Sequence, residues 1–210
     1  MDTQVKRDPA ALAAVLSEYN FCVCIDTSGS MGEPAKAGDF SRTRWDAVQE
    51  SCASFARDVE KIDTDGIDVV TFGGTGVESF KGVTAAKVSE IFATKAPRGS
   101  TPLAQGLAEA LRVTGKDKKR FILVFTDGVP DSEIAAEQVI VGQANSQATD
   151  EECTFLFVQV GDDAAASKYL SRLDDGLTGK AKFDIVDAKT IDQANAFATT
   201  AELVAHAITD

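Results

Sequence analysis

Five short apolar runs constrain this chain more than any other feature. Residues 21–26, 67–72, 121–126, 155–160 and 183–186 are rich in β-branched and aromatic side chains. Runs of that length and content suit strands buried on both faces of a parallel sheet. The gaps between them carry helical patterns. Trp45, Val48, Cys52, Phe55 and Val59 recur at three- and four-residue spacing, which draws one apolar stripe along a helix. Leu103, Leu107 and Leu111 draw a second stripe, and Ile191, Ala194, Phe197, Ala198, Ala201 and Ile208 mark a last helix over residues 190–208. This alternation predicts an α/β fold: a Rossmann-like, doubly wound, mainly parallel sheet with helices on both faces and right-handed crossovers.

One connection breaks the rhythm. The run at 67–72 is followed by Gly-Gly-Thr-Gly (73–76) and then Val-Glu-Ser-Phe (77–80). Four residues are too few for a crossover helix, so the two runs should pair as an antiparallel hairpin and give the sheet one short antiparallel edge strand. The glycines do not read as a phosphate loop, because no Gly-Lys-Ser/Thr and no helix follow them directly.

No repeat, low-complexity tract or linker divides the 210 residues, so the expectation is a single domain, 1–210, with a helical extension over 1–18 and a core over about 19–208. Asp8-Pro9 reads as an N-cap followed by proline at the first helical position. Lys6 and Arg7 ahead of the apolar stretch 10–16 faintly echo a signal peptide, but the stretch is short, alanine-rich and flanked by Asp2 and Asp8. Cytoplasmic placement is the expectation. No apolar run approaches the ~20 residues of a membrane-spanning helix. A formal net charge of −12 argues against binding nucleic acid or an anionic membrane through bulk electrostatics, and suits cations or a basic partner face. Cys22 and Cys24 lie two apart on one predicted strand, where an extended backbone holds them poorly for a mutual disulfide. With Cys52 and Cys153, no C-x-x-C pair and a single histidine, the cysteines read as buried free thiols rather than zinc ligands, which fits a reducing compartment.

The chemistry gathers where strands end. In open α/β sheets, ligands bind at the carboxyl ends of the strands, near the point where strand order reverses. The first strand ends in Asp26-Thr27-Ser28-Gly29-Ser30, the run at 121–126 ends at Asp127, and a loop ending Gly-Ser-Thr-Pro-Leu places Thr101 just before the Leu103 helix. In an extended segment Asp26, Ser28 and Ser30 point the same way, and Gly29 allows a tight turn between the two hydroxyls. With Thr101 and Asp127 they make an all-oxygen set carrying two carboxylates, which suits a hard divalent cation: Mg²⁺ first, with Mn²⁺ or Ca²⁺ possible. Three of the five donors are neutral hydroxyls, so an external carboxylate is welcome in an open coordination position.

These residues resemble the von Willebrand factor type A (VWA) family and its metal-ion-dependent adhesion site (MIDAS). The family's D-x-S-x-S stands as Asp26, Ser28 and Ser30, its loop threonine resembles Thr101, and its later aspartate resembles Asp127. The likeness extends from about Tyr19 to His206, including the antiparallel hairpin and Val-Gly-Asp-Asp at 160–163. It implies a strand order of 3-2-1-4-5-6 and a non-enzymatic binding module in an adaptor or scaffold role. It further implies that the serines and threonine touch the ion, that one or both aspartates act through water, and that a protein partner's Asp or Glu completes the sphere. The stretch 31–43 departs from the pattern, being longer and more polar than expected.

The alternative is a metal-dependent hydrolase or phosphotransferase using the same Mg²⁺. Against it, Asp26 is followed by Ser28 rather than a second carboxylate, no P-loop is present, and no obvious base sits nearby. Asp162 or Asp163 is expected to cap the helix that begins near Ala164, and Asp131 the one near Glu133. Arg98 is either solvated or paired with an acidic partner. His206 falls with Asn195, Thr199 and Glu202 on the polar side of the last helix, as an exposed bystander.

Overall fold

The computed structural model describes residues 9–209. The Asp8 cap and the Asp2, Lys6 and Arg7 features lie outside the described residues. A short helix, α1 (Pro9–Leu16), leads into strand β1 (Tyr19–Asp26). A 3-10 turn (Gly29–Gly32) and a hairpin of β2 (Pro34–Lys36) and β3 (Asp39–Thr43) precede α2 (Arg44–Val59). There follow β4 (Ile67–Gly73), β5 (Gly76–Val83), α3 (Ala85–Thr94), α4 (Leu103–Val113), β6 (Lys119–Thr126), α5 (Glu133–Ser146), β7 (Cys153–Gln159), α6 (Ala164–Asp175), β8 (Val186–Thr190), α7 (Ile191–Asn195) and α8 (Thr200–Thr209).

The main sheet runs β5-β4-β1-β6-β7-β8. Counted among themselves, its strands follow the expected order 3-2-1-4-5-6. All neighbours pair parallel except β4 and β5, which form the expected antiparallel hairpin. Strand order reverses at β1, which pairs with β4 on one side and β6 on the other. Ile25 sits in register with Phe125, so Asp26 and Asp127 leave the sheet close together at its carboxyl edge.

The side-chain alternation of β1 feeds two cores. Phe21, Val23 and Ile25 pack with Val48, Phe55, Phe121 and Val204 on the face covered by α2 and α8. Cys22 and Cys24 pack with Phe72, Leu107, Ile140 and Leu170 on the face covered by α4, α5 and α6. Each layer hides apolar area worth roughly 1.5–3 kcal/mol per large side chain, which ties strand register to helix placement. All four cysteines are free and buried, and burial pushes the Cys52 and Cys153 thiols up to about 12.

Three features depart from expectation. The last strand lies at Val186–Thr190 rather than 183–186; it is an edge strand and carries Asp187 and Lys189, which hide the usual apolar pattern. The continuous helix over 190–208 is two helices instead. Thr190 Oγ accepts from the Gln193 N–H at 3.2 Å to start α7, and Thr199 Oγ accepts from the Glu202 N–H at 3.2 Å to start α8. Each threonine caps a new helix although the apolar spacing runs on. The polar stretch after Ser30 forms the β2–β3 hairpin, whose base is closed by the Arg44 N–H donating to Glu33 O at 2.9 Å.

Candidate metal centre

The first strand delivers Asp26 to the sheet edge with no exposed surface. Its Oδ1 accepts from the Ser28 N–H at 2.7 Å and its Oδ2 accepts from Thr126 Oγ at 2.8 Å, so both oxygens are held. Burial pushes the Asp26 carboxyl up to about 6, against the lowering effect of the hydrogen bonds from Ser28 and Thr126. Past Ser28 the chain makes its 3-10 turn, with the Met31 N–H donating to Ser28 O and the Glu33 N–H to Ser30 O. Met31 is fully buried in the core below and fixes the turn from beneath.

The two hydroxyls come together as the i, i+2 spacing demands. Ser28 Oγ and Ser30 Oγ lie 3.3 Å apart, and Ser30 Oγ donates to Asp127 Oδ1 at 2.9 Å. The structure therefore links Asp26, Ser28, Ser30 and Asp127 in one cluster spanning the ends of β1 and β6.

Thr101 reaches this edge on a loop clamped to the other two. The Gly29 N–H donates to Gly99 O at 3.1 Å, the Arg98 N–H to Thr27 O at 2.8 Å, and the Gly74 N–H to Arg98 O at 3.0 Å. The clamp needs glycine: a Cβ on Gly99 would stand 2.4 Å from Gly74 Cα. Thr101 itself is buried, and Asp131 holds it there. Asp131 Oδ1 accepts from the Thr101 N–H at 2.9 Å, its Oδ2 accepts from Ser100 Oγ at 2.7 Å, and its own N–H donates to Thr101 O at 3.0 Å.

Arg44 completes the cluster. Its Nη1 donates to Asp127 Oδ2 at 2.7 Å and to Ser30 O at 3.4 Å, and lies 3.6 Å from Glu33 Oε2. Its side chain is 11% exposed and that of Asp127 is fully buried. Room for the guanidinium comes from Gly161, at φ +86°, where a Cβ would stand 2.6 Å from Arg44 Nε. Arg44 thus stands between the buried Asp127 and the exposed Glu33, while Asp26 is held by the Ser28 N–H and Thr126. Among the described residues no group of three or more His, Cys, Asp or Glu converges, so any metal chemistry here depends on the hydroxyls. The Asp26 and Asp127 carboxylates and the Ser28 and Ser30 hydroxyls, with the Thr101 loop clamped beside them, are donors of the kind a hard divalent cation takes, so their chemistry fits such an ion.

Several expectations change. Asp131 does not cap α5. Ser132 does, its Oγ accepting from the Ala135 N–H at 3.2 Å, and Asp131 is free to anchor the Thr101 loop. Asp163 does cap α6, accepting from the Ala166 N–H at 2.7 Å. Arg98 is exposed and serves the site through its backbone. His206 is no bystander: it is half-buried, edge-on to Phe197, with Nδ1 3.6 Å from the buried Asp187 Oδ2. Arg44, Thr126 and the anchoring role of Asp131 had escaped the sequence reading. The one available cue for Arg44 was its position as the first residue of α2, directly after the polar stretch.

Fold and site together define a doubly wound α/β domain with an acidic, hydroxyl-rich cluster at its topological switch point. Residues 21–129, just over half of the chain, match the family model described as von Willebrand factor type A domain, and the chain belongs to that family. No curated protein matches the sequence. Among solved structures, the fold is similar to manganese-loaded TRAP of Plasmodium vivax: 18% identity, TM-score 0.57, covering 86% of this chain and 72% of that one. It is also similar to the SpRpn10 VWA domain, at 12% identity and TM-score 0.58 over 90% of this chain and 94% of that one. The vWF domain of the type V pili tip protein Mfa5 from Porphyromonas gingivalis gives 12% identity and TM-score 0.51 over 90% and 93%.

Proposed function

We propose that this VWA domain is a divalent-metal-dependent protein-binding module, with the five residues forming a MIDAS and a partner's Asp or Glu as the remaining ligand. Domains of this family are generally protein-interaction modules. The observation that carries the reading is the cluster itself: Asp26, Ser28, Ser30 and Asp127 joined at the switch point, with the Thr101 loop clamped against them. Asp26, Ser28, Ser30, Thr101 and Asp127 would hold the ion, Mg²⁺ or Mn²⁺, which when bound supplies a Lewis-acidic position for a carboxylate oxygen. The manganese carried by the TRAP structure supports a divalent ion of this kind.

The chain's own residues do the rest. Thr126 and the Ser28 N–H orient the Asp26 carboxylate, Ser30 and Arg44 orient Asp127, and Asp131 fixes the Thr101 loop. Segments that continue from these residues along the chain carry exposed apolar side chains that suit a protein partner. Phe40 (85% exposed), Ile134 (72%) and Val129 (36%) are the large exposed hydrophobics among the described residues. All three lie on segments that leave the carboxyl edge of the sheet, the β2–β3 hairpin and the stretch after Asp127. A partner acidic residue flanked by apolar ones fits this surface. An adaptor or scaffold role follows, and four buried free thiols support a cytoplasmic setting.

The binding reading is preferred to a hydrolase or phosphotransferase because each carboxylate at the centre is already held by hydrogen bonds. The histidine stands on α8 beside Asp187, not at the cluster. The test is capture of partners on immobilised protein with Mg²⁺ or with chelator. A partner released by chelator, weakened by Phe40→Ser and lost with Asp26→Ala is the expected result. Partners retained equally in all four conditions would contradict it.

A further inference from the structure

We infer that Arg44 is a specificity-determining residue of the metal centre: a tethered cation that balances Asp127, opposes residence of a divalent ion on its own, and biases the loaded centre toward an anionic partner. The inference rests on the metal-dependent reading above and deepens it.

The placement of Arg44 is built by three separate elements. As the first residue of α2 it is aimed by the helix start, where Thr43 and Asp46 form a reciprocal capping box and the Arg44 N–H is bonded to Glu33 O. Its guanidinium is received by Asp127 from β6 and by the Ser30 carbonyl from the 3-10 turn. The loop after β7 makes space for it at Gly161, in a left-handed conformation that leaves no Cβ in the way. Nε is buried without a hydrogen-bond partner, so the side chain does not sit there to satisfy all of its donors. It is held chiefly by the charge of the buried Asp127, with the exposed Glu33 farther off, and by the shape of the pocket.

Charge counting gives the consequence. Asp26 and Asp127 would offer two negative charges to a divalent cation, but Arg44 already balances one of them. With the ion bound, Arg44 makes the cluster more positive than the ion and the two carboxylates alone. Glu33, 3.6 Å from Nη1 but with its side chain 63% exposed, is screened by water and offsets this only in part. As a general scale, a unit charge within about 6 Å of a divalent ion changes its affinity about tenfold even at the dielectric of water. The same excess charge attracts an incoming carboxylate. Ion and anionic ligand therefore bind better together than either binds alone, and the resident arginine strengthens the dependence that the neutral hydroxyl donors already create.

Calorimetric titration of Mg²⁺ into chelator-treated wild type, Arg44→Gln and Arg44→Lys, with melting curves in chelator, tests the inference. The expected result is Mg²⁺ binding about tenfold or more tighter in Arg44→Gln and within about threefold of wild type in Arg44→Lys, which keeps the charge. Metal-free Arg44→Gln should also melt below wild type, because the buried Asp127 has lost its partner, and regain more stability than wild type on adding Mg²⁺. Equal or weaker Mg²⁺ binding in a folded Arg44→Gln overturns the inference and leaves the metal-dependent reading standing. Saturable binding in neither wild type nor variant overturns both. If Arg44→Gln does not fold without metal, Gly161→Ala decides, since its added Cβ displaces the guanidinium from Asp127. Tighter Mg²⁺ binding there supports the inference, and unchanged or weaker binding overturns it.

Discussion

The ends of β1 and β7 look alike in sequence and do different work. Each is an apolar parallel strand that runs into glycine and carboxylate at the same edge of the sheet. After β7 the helix α6 begins one residue past Asp163, whose carboxylate is taken by the Ala166 N–H as a cap. After β1 the chain passes through the 3-10 turn and the β2–β3 hairpin before α2 starts, and Thr43 and Asp46 cap that helix in place of Asp26. Asp26 is therefore left at the sheet edge, oriented by Thr126 and Ser28 and neighboured by hydroxyls and Asp127. A strand-end carboxylate in this fold becomes a helix cap when a helix N-terminus follows at once. Where the connection delays the helix, as after β1, the carboxylate is held instead by Ser28 and Thr126 at the sheet edge.

That contrast can be broken or sharpened by substitution, beginning with the largest effect. Asp127→Asn removes a donor and leaves Arg44 without its buried counter-ion, so Mg²⁺ binding should weaken beyond measurement and stability should fall by about 3 kcal/mol, read by calorimetry and urea unfolding. Asp162→Asn, the exposed counterpart after β7, should change neither. Asp131→Ala should release Ser100 and Thr101 and weaken Mg²⁺ binding roughly tenfold, with a stability loss of about 1–2 kcal/mol. A normal Mg²⁺ affinity in that variant would show that the Thr101 loop is held by the glycine clamp alone. Asp163→Ala should cost about 1 kcal/mol, as loss of an N-cap does, and leave Mg²⁺ binding untouched. A metal effect there would place the end of β7 inside the same centre and end the distinction.

Much of the centre of the molecule was legible because buried parallel strands advertise themselves. β1, β4, β6 and β7 lie within a residue or two of the expected runs, and the four-residue link at 73–76 correctly implied the antiparallel edge strand. The convergence of Asp26, Ser28, Ser30 and Asp127 followed from period-two geometry plus the switch-point rule. What stayed hidden was of two kinds. At the sheet's other edge, β8 carries Asp187 and Lys189, paired to each other at 2.6 Å, so no apolar run marks it. The helix break after Asn195 was masked because apolar spacing persists through Phe197 and Ala198 while Thr199 starts a new helix. The second kind is long-range contact. Arg44 meets a residue 83 positions away, and Asp131 bonds a loop 30 positions earlier because Ser132 takes the cap that local spacing had assigned to Asp131. Beyond the place of Arg44 directly after the polar stretch, neither contact leaves a trace in local pattern.

The most direct measurement is calorimetric titration of chelator-treated protein with Mg²⁺, comparing wild type, Asp26→Ala and Asp163→Ala. Saturable binding by wild type and Asp163→Ala, lost in a folded Asp26→Ala, is the predicted result. Binding retained by Asp26→Ala, or lost equally in Asp163→Ala, would contradict the assignment of the β1–β6 edge as the metal centre.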